Sequence, residues 1–371
     1  MKPGNICLLA CAIVIALTAD LALAFDKPII PNLPNTATSV STVPLTNGDL
    51  NPYGVAFVPN GFPAGGLLQP GDILVSNFND SGNIQGTGTT IVAITPAGEQ
   101  SVFFQGQTGL GLTTALGVLK RGFVLVGNVP STGGLGVCTQ NGNVEQGVEQ
   151  GSLIFLDKNG NLVKTLSNAT FLDGPWDLTI NDEGATAQLY ISNVLSGTVV
   201  RIELSINAND VLDPVVVQST TQIASGYTIR CDSAAFVVGP TGLALNPQNG
   251  ILYVASTGDN IIYGVKNPSS TKDKGKGTIV VQDATHLHGP LGLVVAPNGD
   301  LISAQGDAVN ADSNHPSEIV EFTSKGTFVA QYSIDPALGS AFGIALVTSK
   351  NGFTFAAVDD TLSVLDVWEV K

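Results

Sequence analysis

The sequence predicts an all-β chain, a six-bladed β-propeller with four antiparallel strands per blade and an N-terminal strand that closes the last blade. Three observations carry that expectation. A glycine-centred apolar pattern recurs six times, and each copy is followed by a second apolar run that ends in a small polar residue. No window of the chain beyond residue 24 shows a sustained 3.6-residue apolar period with caps, so helices contribute little.

The first strands are read at Asn51 to Phe57, Ala115 to Leu119, Gly174 to Ile180, Gly239 to Leu245, Gly289 to Val295 and Ser340 to Leu346. Aligning positions 54, 117, 177, 242, 292 and 343 gives intervals of 63, 60, 65, 50 and 51 residues. Second strands follow at Ile73 to Asn77, Val124 to Asn128, Leu189 to Asn193 and Leu252 to Ser256, with looser versions ending near Gln305 and Asp359. Two further β-rich runs complete most copies, as in Thr90 to Thr95 then Ser101 to Gln105, and Ile261 to Val265 then Thr278 to Gln282. Pro59-Asn60-Gly61, Asn159-Gly160, Pro297-Asn298-Gly299 and Asn351-Gly352 fall between strands, where hairpins need residues that tolerate positive φ.

The sixth copy offers only three strands before Lys371, while Thr36 to Leu45 (TATSVSTVPL) is a spare β-rich run. Pairing that run with the strand near Leu362 to Val367 removes an open edge. The expected organisation is a signal peptide at 1–24 and one domain at 25–371, with blades at about 48–107, 108–168, 169–224, 236–284, 285–334, and 335–371 plus 36–45.

The signal reading rests on Lys2, the apolar stretch Ile6 to Leu17 and the small-x-small site Ala22-Leu23-Ala24, and it implies a secreted or periplasmic protein. No later stretch has the ~18 continuous apolar residues that cross a bilayer. Cys138 and Cys231 are the cysteines left after cleavage, and in an oxidising compartment a lone pair reads as a disulfide. Charged residues make up 12% of the 371 residues and apolar ones 43%, with a mean hydropathy of +0.28, which excludes a disordered chain. Thirty acidic against 15 basic residues leave a net charge of −15, which argues against a nucleic-acid partner.

In a four-stranded meander the second-to-third loops and the crossovers between blades share one face. The long insertions at 129–150, 224–238 and 306–316 all belong to that face, so it is the one to search for function. Its mouth should be lined by the starts of first strands and the ends of second strands, which brings Asn51, Tyr53, Asn77, Asn128, Trp176, Asp177, Asn193, Ser256, Gln305 and Asp359 together. Asn77, Asn128, Asp177, Asn193 and Asp359 form an oxygen-rich ring of the kind that takes a divalent cation such as Ca²⁺; the bland alternative is that Asn and Asp end strands and cap turns. Tyr53, Trp176 and Phe342 would stack on sugars or apolar groups, or else plug the channel.

His286, His288 and His315 map near blade five on the same face and are candidates for a transition-metal or acid/base site, with solvated loop histidines as the alternative. An extended segment would direct His286 and His288 to one side. There is no G-x-S-x-G elbow, no P-loop and no G-x-G-x-x-G fingerprint. The basic run Lys272 to Lys276 reads as a solvated turn.

Gly239 to Ser256, G-P-x-G-L-A-L-N-P-x-x-G-x-L-Y-V-A-S, resembles the NHL-repeat propellers and their relatives in the regucalcin, gluconolactonase and strictosidine-synthase superfamily. The resemblance implies the propeller fold along nearly the whole chain, but that superfamily includes binding scaffolds, lactonases, lyases and esterases. It also implies, for gluconolactonase-like members, a metal held by one Glu, two Asn and one Asp at the central mouth. Asn128 and Asn193 match the Asn positions and Asp359 the Asp, whereas Asn51 or Tyr53 stands where the Glu is expected. The reading is therefore a binding module whose looped face takes a protein, peptide, glycan or small molecule, with a metal-dependent lactonase or esterase at the channel mouth as the alternative.

Overall fold

The computed structural model describes residues 27–131, 148, 150–232, 235–349 and 352–370. Six four-stranded antiparallel sheets ring an axis. Blade one is β2 (Leu50–Phe57), β3 (Ile73–Asn79), β4 (Thr90–Ile94) and β5 (Gln100–Gln105); blade two is β6 (Leu112–Leu119), β7 (Phe123–Asn128), β8 (Ser152–Asp157) and β9 (Leu162–Leu166). Blade three is β10 (Pro175–Asp182) to β13 (Val215–Ser225), followed by an inserted hairpin, β14 (Arg230–Asp232) with β15 (Phe236–Val238). Blades four and five run from β16 (Pro240–Asn246) to β19 (Thr278–Val281) and from β20 (Pro290–Val295) to β23 (Phe328–Ser333).

Blade six is assembled from both ends of the chain. β24 (Ala341–Ser349), β25 (Gly352–Asp359) and β26 (Val364–Val370) are completed by β1 (Thr38–Ser41), with Thr38 opposite Val367 and Ser41 opposite Val364. The expected closure is therefore built, and a one-turn 3₁₀ helix (Ile30–Asn32) precedes it. Glu321 of blade five fixes that segment: its carboxylate oxygens accept from Ile29 N at 2.8 Å and Ile30 N at 2.7 Å.

Every innermost strand breaks register once, between Pro52 and Gly54, Leu112 and Leu116, Pro175 and Asp177, Pro240 and Leu243, Pro290 and Leu293, and Ala341 and Ile344. These bulges let six strands converge on the axis. The strands crowd so closely there that a Cβ on Gly242 would fall onto the carbonyl oxygen of Leu291, and one on Gly343 onto that of Tyr53. The pairing also corrects one alignment. Leu116 faces Val126 as Val55 faces Val75, so Ala115, not Gly117, is the counterpart of Gly54. The bulge of blade two holds one residue more than those of the other blades.

The core lies between blades. One cluster joins Leu119, Phe155, Leu189 and Ile202 of blades two and three, and another joins Tyr253, Ile262, Leu301 and Phe322 of blades four and five. Among the described residues no helix is long and apolar enough to cross a membrane.

Candidate functional site

Just above the bulges, on the looped face, the axis is filled. Tyr53 lies between two rings, with centroids 4.5 Å from Phe78 and 4.3 Å from Phe342, both nearly parallel to it. Trp176, two blades away, closes on Tyr53 at 5.8 Å and on Phe78 at 5.4 Å, and Phe236 from the inserted hairpin meets Phe78 at 5.8 Å. Tyr53, Trp176 and Phe342 are only 1%, 2% and 9% exposed, so the structure builds the plug and not a stacking platform open to a ligand. Five rings interlocked in offset and edge-on contacts bury their apolar faces against one another, which is why they fill the mouth and do not line it.

The five oxygen-bearing residues divide. Asn128 is fully used, its Oδ1 accepting from Gly111 N at 2.7 Å and its Nδ2 donating to Ser152 Oγ at 3.1 Å. Asp177 accepts from Leu178 N at 2.8 Å and from Leu243 N of the next blade at 2.9 Å. It stands where the other blades have Gly54, Ala115, Gly242, Gly292 and Gly343, and burial pushes its carboxyl up to about 8. Asn77, Asn193 and Asp359 each keep one buried oxygen without a hydrogen-bond partner. Those three come from blades one, three and six, and at the level of the plug the rings occupy the axis between these blades. Among the described residues no group of three or more His, Cys, Asp or Glu side chains is arranged to hold a metal.

The histidines do not act together. Residues 284–286 form a turn, not an extended segment, so the i, i+2 rule does not apply and the two rings separate. His286 stacks on Phe328 at 3.7 Å with its Nδ1 2.8 Å from Asp283, and the exposed His315 pairs with Asp312 at 2.9 Å. His288 alone is buried, donating from Nδ1 to Asn310 O at 2.5 Å and leaving Nε2 4.0 Å from Glu318 Oε1.

Two acidic pockets were not legible in the sequence. Glu318 is 1% exposed with neither carboxylate oxygen hydrogen-bonded, and burial drives it up to about 7 despite His288 nearby. Beside it Asp307, also raised by burial, ties Ser317 N and Gly339 N to itself at 2.8 and 2.9 Å. At the seam of blades six and one, burial raises Asp359 to about 6, with Asp335 and Asp366 adding repulsion, and raises Asp360 to about 7, with Asp359 and Asp335 adding repulsion. Asp360 occupies the position held by Phe78, Val129 and Val194 in blades one to three, a charged residue in an apolar series, and that is the signal that would have found it. Around this seam Leu45, Leu338 and Leu362 stand 101%, 50% and 63% exposed. Their loops touch, through Thr42 N to Ser363 O at 2.9 Å and Ser340 Oγ to Thr361 Oγ1 at 2.7 Å.

Solved structures with this fold include a gluconolactonase from Xanthomonas campestris at 12% identity, covering 94% of this chain and 94% of that one with a TM-score of 0.54. The calcium-binding protein regucalcin from Agrobacterium tumefaciens matches at 13% identity over 89% and 93%, TM-score 0.51. A luciferin-regenerating enzyme matches at 10% over 90% and 94%, TM-score 0.50. At these identities the likeness establishes the propeller fold alone. No protein-family model and no curated protein matches the chain.

Proposed function

We propose that the chain is a secreted or periplasmic binding propeller whose looped face, at the seam of blades six and one, docks a protein partner. The observation that carries this reading is the filled mouth: with Tyr53 held between Phe78 and Phe342, the axial position where a small substrate would sit is occupied by the protein's own rings. Leu45, Leu338 and Leu362, exposed on touching loops near carboxylates, supply apolar contacts for such a partner. The alternative, a divalent-metal hydrolase, draws on the likeness to a gluconolactonase and on the unpartnered oxygens of Asn77, Asn193 and Asp359, but the rings between those oxygens oppose it.

The two readings separate in one set of measurements. A binding module should show a melting temperature unmoved by millimolar Ca²⁺, Mg²⁺ or Zn²⁺, no turnover of a lactone and ester panel, and loss of cross-linking to its partner in Leu45→Asp/Leu362→Asp. A cation that raises the melting temperature by mass action, together with lactone hydrolysis abolished in Asp359→Asn, would establish the hydrolase instead.

The compartment has its own test. Cys231 lies in β14, and Cys138 lies outside the described residues. Export should pair them, closing a loop whose cross-link restricts the unfolded chain by about 4 kcal/mol. Mass spectrometry of a non-reduced digest is expected to find the two peptides linked; two free thiols would refute both the pairing and the oxidising compartment.

A further inference from the structure

Below the plug the axis opens again, toward the face of the first-to-second turns. A cavity of about 460 Å³ runs along the innermost strands, within the roughly 300–1,000 Å³ of small-molecule sites. Its wall is built in tiers by the register. All six blades place a buried aliphatic side chain one residue beyond the bulge, Val55, Leu116, Leu178, Leu243, Leu293 and Ile344. Two residues further, Phe57, Val118, Ile180, Leu245, Val295 and Leu346 form a partly exposed apolar rim. At ~3.3 Å per strand residue, the rim stands roughly 10 Å from the bulge level.

The floor of this funnel carries Asp177, the one ionisable side chain among its lining residues. Five of six blades have glycine or alanine at that level, so the carboxyl projects alone. Its oxygens accept one backbone N–H each, from Leu178 and Leu243, and no cationic side chain accompanies it. Each oxygen thus retains a lone pair. A carboxylate enclosed by aliphatic walls without a counter-ion is the arrangement a ligand cation completes.

We propose that this funnel is a second binding site, independent of the looped face, for an elongated aliphatic ammonium ion whose chain lies along the two apolar tiers and whose head group donates to Asp177. The alternatives rank below it on the same observations. An ammonium head group stabilises the ionised carboxylate that burial alone disfavours, whereas a fatty carboxylate would oppose that ionisation and a neutral alcohol would gain nothing from it. The net charge of −15 also raises the local concentration of cations over anions.

The test uses the full chain and three probes of matched length, n-octylamine, octan-1-ol and octanoate, each well below its micellar concentration, with binding followed by calorimetry. Saturable one-to-one binding of n-octylamine is expected, with octan-1-ol at least tenfold weaker and octanoate undetected. Asp177→Asn should lose tenfold or more for the amine while leaving octan-1-ol unchanged, and Thr179→Trp, which fills the wall, should abolish both. If Asp177→Asn does not fold, Thr179→Trp in competition with the parent still decides whether the funnel is the site. Equal amine affinity in the Asn variant, tighter binding of octanoate or octan-1-ol, or amine binding unaffected by Thr179→Trp would each overturn the proposal. None of these outcomes bears on docking at the looped face.

Discussion

A chain that begins at Asn47 is expected to aggregate, or to melt at least roughly 10 °C below the full-length protein. The deletion removes β1, so β26 loses its partner along Val364 to Val367 and presents an unpaired edge. It also removes the buried Ile29 and Ile30, worth about 1.5–3 kcal/mol each. Glu321, fully buried in blade five, then loses both N–H donors, and an unsatisfied buried carboxylate costs at least about 1–3 kcal/mol more. Thr42 goes as well, and with it the carbonyl that accepts from Asn77 Nδ2 at 2.9 Å. Against a total stability of about 5–15 kcal/mol these losses are large.

Two shorter changes apportion the effect. A chain starting at Thr36 keeps β1 but lacks the Glu321 contact, and should fall between the two. Glu321→Gln retains one acceptor oxygen and should cost less than either deletion. Size-exclusion chromatography with thermal melts decides the matter. A monomer starting at Asn47 that melts cooperatively at the parent temperature would show that β1 adds nothing to closure.

Closure was legible because a strand without a partner is a deficit that counting exposes: blade six had three strands, and Thr36 to Leu45 had none. The repeat itself was legible because crowding at the axis admits few residue types. Where the reading slipped, local geometry intervened. Blade two has three residues between Leu112 and Leu116 where blade one has two between Pro52 and Val55, so the glycine pattern aligned Gly117 in place of Ala115. A turn at Thr285 and His286 cancelled the alternation that would have aimed His286 and His288 together. The plug depends on Phe78 and on Phe236, the latter delivered by an insertion whose fold no periodicity announces. Burial of Glu318 and Asp307 could not be read, because carboxylates are mostly exposed and only neighbours from other blades reveal the exceptions, whereas Asp360 left a signal in the apolar series of Phe78, Val129 and Val194.

Those buried carboxylates set the pH dependence of stability. The fold should be most stable near pH 4 and should lose stability as the pH rises to 8. Glu318 at about 7, Asp360 at about 7, Asp359 at about 6 and Asp177 at about 8 all sit above their unfolded values near 4. Between pH 4 and 8 the folded chain therefore binds more protons than the unfolded one, and stability falls with rising pH until all four are ionised. Glu318 alone, displaced from 4.5 to about 7, accounts for about 3 kcal/mol of that loss. Below pH 4 the trend reverses, since Asp312, held down to about 2 by its bonds to His315 and Asn314, and the similarly lowered Asp283 need their charge. Thermal melts at constant ionic strength should place the transition roughly 10 °C lower at pH 8.5 than at pH 5.5. Self-repulsion of a chain with net charge −15 would produce the same slope, but that contribution is screened by salt, whereas desolvation of buried groups is not. The slope should thus survive 0.5 M NaCl and flatten in Glu318→Gln. A profile that is level from pH 5.5 to 8.5, or that vanishes in salt, would mean that these carboxyls ionise at ordinary values and that the pockets at blades five and six are open to water.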